Sequence, residues 1–165
     1  MSSQRKSRQE LIAALNQTMR DASGTGVLYS QAVADRLGIN ATDLECLDHI
    51  VTKGPIAAGA LAEATGLTTG AITGVIDRLE RAGFARREHD AEDRRKVLVR
   101  ALPAVMKRIM PLFAPMERHA MAALDALSDN ELVKFLEMMT RANEAGRLAM
   151  KELLAIPKPR ERKPR

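Results

Sequence analysis

Residues 57–100 place five local signals in an order that few folds accommodate: a small-residue helix, a glycine turn, a capped amphipathic helix, a glycine stop and a basic hairpin. The stretch 57–65 favours a short helix showing Leu61 and Ala62, and Gly66-Leu67 turns the chain. Thr68 stands where it caps a second helix over 69–82, in which Ile72, Val75, Ile76 and Leu79 recur at i, i+3, i+4 and i+7. That spacing predicts one buried stripe, and helical geometry then turns Gly70, Thr73, Gly74, Asp77, Arg78 and Arg81 to the opposite side. Gly83 suits the position just beyond a helix end. Two short strands are predicted over 84–88 and 96–100, around the polar loop HDAEDRR. The order predicts a helix-turn-helix followed directly by a strand-loop-strand wing.

The flanks are helical. Leu11, Ile12, Leu15 and Met19 predict a first helix over 8–22 that breaks at Ser23-Gly24-Thr25-Gly26, with a short helix over 29–37 after it. Thr42 is expected to cap a helix presenting Leu44, Leu47 and Val51 on one face and stopping at Gly54-Pro55. Pro103 suits the first turn of a long helix reaching 127, in which Val105, Ile109, Leu112, Met116, Ala120 and Ala123 repeat at three to four residues. Pro111 and Pro115 each remove a backbone donor, which predicts a kink there. Ser128 and Glu131 form a capping box that opens a last helix to about residue 154. The fold class is therefore mainly α with a small β-hairpin wing: a winged helix-turn-helix plus helices from both termini. The expected divisions are an N-terminal tail and helix over 1–22, a winged lobe over 27–102, C-terminal helices over 103–156, and a disordered basic tail over 157–165 kept out of helix by its three prolines.

Composition narrows the function classes. Aromatic residues are only 2% of the chain, so the interior is aliphatic and a large β-sandwich is unexpected. There is no apolar run of membrane-spanning length and MSSQRKSRQE carries no apolar signal core, which points to a soluble protein of the cytoplasm with no membrane partner. The lone Cys46 has no second thiol for a disulfide or zinc motif, and His49, His89 and His119 stand far apart, so no cofactor or metal is expected. Cys46 lies off the Leu44, Leu47, Val51 stripe, which makes oxidant sensing at an exposed thiol conceivable. No nucleophile elbow or phosphate-cradling glycine loop is present, and the chain is read as not an enzyme.

The net charge of +5 is unevenly distributed: residues 78–100 carry eight basic against five acidic side chains and 157–165 five against one, while 101–156 is balanced. Arg78, Arg86, Arg87, Arg94, Arg95 and Lys96 offer cations to phosphates, and an arginine at the wing tip suits a narrow minor groove. Asp93 is expected to orient a wing arginine, since a bare carboxylate near phosphate is repelled. Gly70 and Gly74 each cost about 1 kcal/mol against alanine on a helix face. The compensation read here is close approach of the backbone to the major groove, with Thr68, Thr69 and Thr73 reaching base edges or phosphates. The alternative is a winged-helix protein-interaction module without specific DNA binding.

The segment ALAEATGLTTGAITGVIDRLERAGFARREHDAEDRRKVLV, beginning at Ala60, resembles the winged helix of the MarR (multiple antibiotic resistance regulator) family, down to the Asp93-Arg94-Arg95 wing signature. Elsewhere the likeness lies in helix order. The resemblance implies a homodimeric DNA-binding regulator of transcription, a repressor whose first and last helices interlock. Double-stranded DNA with a near-palindromic operator is the implied partner, and a small aromatic ligand the implied effector. By position, Thr69, Gly70 and Thr73 fall on the recognition helix, and Arg94 matches the family's minor-groove arginine.

Overall fold

A computed structural model describes residues 6–90, 93 and 96–157. The elements are α1 (Arg8–Leu37), α2 (Ala41–Lys53), β1 (Ile56–Ala57), α3 (Ala58–Thr65), α4 (Thr69–Arg81), β2 (Ala85–His89), β3 (Val97–Ala101), α5 (Val105–Leu124) and α6 (Asp129–Ala155). The chain divides into two compact units, Met1–Ala114 and Pro115–Arg165.

In the first unit, α4 buries the four residues its periodicity singles out, each 2% exposed or less. They join a core cluster that includes Leu47, Ile50, Leu61, Phe84, Val99 and Val105. The Thr68 hydroxyl accepts from the Ala71 N–H at 3.3 Å and opens the helix. Closure is equally specific. Gly83 adopts φ +70, a left-handed conformation that a side chain would strain. This lets the Gly83 N–H donate to the Glu80 carbonyl and the Phe84 N–H to that of Leu79. Phe84 is thereby carried into the core as the chain enters the sheet.

That sheet has three antiparallel strands in the order β1-β3-β2. Arg87 and Ile56 both register on Val99, and Arg86 stands opposite Arg100. β2 and β3 lie one residue later than expected. The two-residue β1 was not foreseen, because two residues carry no readable alternation.

α1 is a single helix across the predicted break. Gly24 and Gly26 both keep negative φ, so each costs about 1 kcal/mol of propensity without forcing a turn. The second half recovers that cost by burying Val33, Ala34 and Leu37, and the Tyr29 hydroxyl donates to the Leu112 carbonyl at 2.7 Å. A Ser7–Glu10 capping box opens it. For α2 the cap is Asn40, whose side chain accepts from the Asp43 N–H at 2.8 Å, rather than Thr42.

α2 also corrects the reading of Cys46. The helix buries Asp43, Leu44, Cys46, Leu47 and Ile50, a wider arc than one amphipathic stripe, because core residues lie against more than one of its sides. α5 starts at Val105, two residues after Pro103, and continues through Pro111 and Pro115; the boundary between the two units falls at the second proline. In the second unit α6 runs from Asp129, with the Ser128 N–H and hydroxyl both donating to Glu131, whose carboxyl is thereby held below its usual range. No helix among the described residues is long and apolar enough to cross a membrane.

Burial pushes the Cys46 thiol up to about 11, helped by the negative charges of Glu45 and Asp43. The thiol therefore stays protonated through neutral pH. At pH 8 a disulfide reagent is expected to modify native protein on the order of a hundredfold more slowly than denatured protein. Equal rates would return Cys46 to the list of candidate sensors.

Candidate nucleic-acid interface

The buried stripe of α4 leaves Thr68, Thr69, Gly70 and Thr73 exposed on its N-terminal half, with Gly74 half-buried. The Thr73 hydroxyl donates to the Thr69 carbonyl at 3.0 Å, which keeps its oxygen available as an acceptor. The two glycines have no internal explanation. A Cβ built on Gly70 meets nothing within 4 Å, and one on Gly74 meets only the end of the Arg78 side chain at 3.4 Å. Neither has a positive φ. The protein's own packing thus does not require glycine at either position.

Arg78 corrects the expectation of a free phosphate ligand. Its Nε and Nη2 donate to both carboxylate oxygens of Asp43 at 2.6–3.1 Å, and the hydrogen bond to Asp43 is the main cause of its raised pKa. The Asp43 side chain is only 2% exposed, whereas that of Arg78 is 41% exposed. The pair clamps the last turn of α4 to the first turn of α2. Sequence reasoning missed Asp43, although its register was a signal: Asp43, Leu47 and Ile50 share one inward face, and an acid there requires a buried cation.

Arg87, also expected as a phosphate ligand, is likewise engaged by acids of its own lobe. Arg87 joins β2 to α4 by pairing with Asp77 at 2.7 Å and with Glu80, whose other oxygen accepts the Arg87 N–H at 2.6 Å. On the sheet, Glu88 takes Arg100 at 2.6 Å and Arg86 at 3.3 Å; the Arg100 hydrogen bond is the main reason its carboxyl lies below the usual range. Arg86 remains 60% exposed and Lys96 67%. Arg94 and Arg95 lie outside the described residues.

The described ends of the wing loop are closely bonded. The Asp90 N–H donates to the Lys96 carbonyl, the Lys96 N–H to the Asp93 carbonyl, and the Asp93 N–H to the Asp90 side chain, at 2.8–3.0 Å. Asp93 also lies 4.0 Å from the Lys96 ammonium. A further residue missed from sequence is Arg108 of α5. It donates to the Ala82 carbonyl at the C-terminal end of α4 (3.2 Å) and stacks 4.1 Å over the Phe84 ring. A cation there also complements the helix dipole. Among the described residues no group of three potential metal ligands occurs.

Comparison with known proteins gives a consistent result. The MarR family model matches residues 39–97. The HTH-type transcriptional regulator YcgE of Bacillus subtilis (strain 168) is 39% identical over 140 residues, covering 85% of this chain and 91% of that protein. Among solved structures, a MarR family protein from Bacillus stearothermophilus has a TM-score of 0.66 at 20% identity, over 86% of this chain and 99% of that one. A variant of S. aureus MepR bound to an oligodeoxyribonucleotide gives 0.52 at 15% identity, over 86% and 99%. At these identities the two structures show a shared fold.

The Asp43–Arg78 pair predicts an asymmetry. Arg78→Ala strands a buried carboxylate and is expected to cost about 3–5 kcal/mol, whereas Asp43→Ala leaves a half-exposed guanidinium that water can solvate and is expected to cost about 1–3 kcal/mol. Urea denaturation of both variants checks the order. For the glycines, Gly70→Ala and Gly74→Ala should each leave the free protein as stable or up to about 1 kcal/mol more stable, while duplex binding weakens. Unweakened binding would remove close backbone approach as the reason for glycine.

Proposed function

The chain belongs to the MarR family of HTH-type transcriptional regulators, and we propose that it works in the cytoplasm as a homodimeric repressor of a near-palindromic operator, released by a small aromatic ligand. It is a DNA-binding regulator of transcription and not an enzyme. The observation that carries the proposal is the outward face of α4, where Gly70 and Gly74 lack any internal cause and hydroxyl-bearing Thr69 and Thr73 stand beside them. In this reading α4 enters the major groove, with Thr68, Thr69 and Thr73 meeting base edges or phosphates and the glycines permitting close approach. Arg86 and Lys96 take phosphates, and Arg94 and Arg95, which fall between β2 and β3 in sequence, are assigned to phosphate and minor groove. Arg78 acts as a positioning residue that holds α4 in place through Asp43. The oligodeoxyribonucleotide complex of the MepR variant, on the same fold, supports a nucleic-acid partner.

Dimerisation is supported by apolar surface that a monomer leaves in water. On the first half of α1, Leu11, Ile12 and Leu15 are 44–55% exposed; on α6, Leu136, Leu148 and Leu153 are 52–67% exposed. Helical stripes of this kind call for a partner, and a two-fold dimer matches a palindrome. The ligand is supported by a cavity of about 770 Å³ lined by residues of α1, α2 and the start of α5, a size suited to a small organic molecule.

Selection of bound duplexes from a random library by the purified protein, at two salt concentrations, tests the proposal. The expected outcome is a palindrome with half-sites about one helical turn apart. Arg94→Ala should weaken operator binding by about 1–3 kcal/mol. Salt-sensitive binding with no enriched palindrome, or a monomer in sedimentation at micromolar concentration, would refute the dimeric operator reading.

A further inference from the structure

The cavity in the first unit has walls of one electrostatic sign. Its apolar surface comes from Val27 of α1, Leu44 of α2, and Met106, Ile109, Met110 and Phe113 of α5. Among the described residues, its ionisable groups are Glu45 and Asp48, and no Lys, Arg or His lines it. These two carboxylates fall three residues apart on α2, on the face that also carries Leu44 and Val51 into the cavity wall, so helical geometry holds both at the same opening. Among the described residues no cation pairs with either of them. Asp43, Asp77, Glu80 and Glu88 each have an arginine partner, whereas these two do not.

Glu45 and Asp48 are exposed at the mouth of this apolar wall, where two neighbouring negative charges favour a positive guest and oppose a negative one. The apolar wall has matching chemistry: methionine thioethers are polarizable and adapt to irregular bodies, and the Phe113 ring face attracts a cation. We infer that the cavity takes an organic cation with an aromatic body, its charge held against Glu45 and Asp48 and its body against Met106, Met110 and Phe113. This names the ligand class of the effector-gated regulator proposed above and rests on that reading. The same carboxylates reject phenolates and carboxylates of equal bulk, so selectivity lies in charge rather than in shape.

Tetraphenylphosphonium and tetraphenylborate have nearly the same bulk and opposite charge, which isolates this term. Isothermal titration of the full chain with each ion, in the absence of DNA, is expected to show binding of the phosphonium and none of the borate. Glu45→Gln and Asp48→Asn should each weaken phosphonium binding about fivefold, the worth of a partly exposed ion pair. Melting of each variant by circular dichroism confirms that it is folded. Equal binding of the two ions, or phosphonium binding unchanged in the doubly substituted chain, overturns the inference. Binding of neither ion by the intact protein also overturns it, and points to a second copy of the chain covering this face. Operator affinity measured with saturating phosphonium separates the two readings: carboxylate-dependent binding that leaves operator affinity unchanged supports the ligand class and counts against effector control.

Discussion

Burying Ile72, Val75, Ile76 and Leu79 takes four aliphatic side chains out of water, each worth about 1.5–3 kcal/mol. Rotating α4 about its axis forfeits that gain, so the helix has one stable orientation against the cluster containing Leu47, Leu61 and Phe84. The outward surface of α4 is the geometric remainder of this choice. Thr69, Gly70 and Thr73 face outward because Ile72, Val75, Ile76 and Leu79 are committed inward. Gly83 then turns the chain so that Phe84 completes the core and β2 begins beside the same helix. α4 and the sheet that follows it are thereby placed by one packing event.

Electrostatics refines that placement. Asp43, Asp77, Glu80 and Glu88 are distributed over α2, α4 and β2, and all four are occupied by arginines of the same lobe. The arrangement has two effects. It fastens α4 to α2 through Arg78 and to β2 through Arg87, and it neutralises carboxylates that would otherwise repel a phosphate backbone. Among the described cations of residues 78–100, Arg81, Arg86, Lys96 and Arg100 remain exposed, with Arg86 on the wing strand at 60% and Lys96 at the loop end at 67%. An excess of three positive charges over residues 78–100 thus understates the specialisation, since several of the arginines are consumed internally.

The winged lobe was legible because its signals are local. A stripe at 3.6-residue spacing, glycines at helix ends and an alternating strand each specify their own conformation, and α3, α4, β2 and β3 appear where those signals place them to within about two residues. What escaped the sequence depends on distant partners. Asp43 meets Arg78 across 35 residues, and the burial of Cys46 depends on elements flanking α2 on several sides. The predicted break in α1 failed for a related reason: glycine and serine lower helix propensity by amounts that burial of Val33, Ala34 and Leu37 outweighs. Of the interface, the threonines and glycines followed from the register of the stripe. The true role of Arg78 did not, because nothing in its neighbourhood in sequence names a buried acid as its partner.

The unbroken α1 joins two regimes of stability. Its 30 residues span about 45 Å. From Arg8 to Leu28 every residue is exposed, whereas Val33, Ala34 and Leu37 sit in the core. The second half therefore melts only with the lobe, while the first half has roughly the standing of an isolated helix in water, which is marginal at this length. In a dimer that covers Leu11, Ile12 and Leu15, its order is set by mass action: dilution lowers the fraction of chains in which that half is helical, and concentration restores it. In such a dimer protein abundance would govern how much of each chain is folded as well as how many chains are paired.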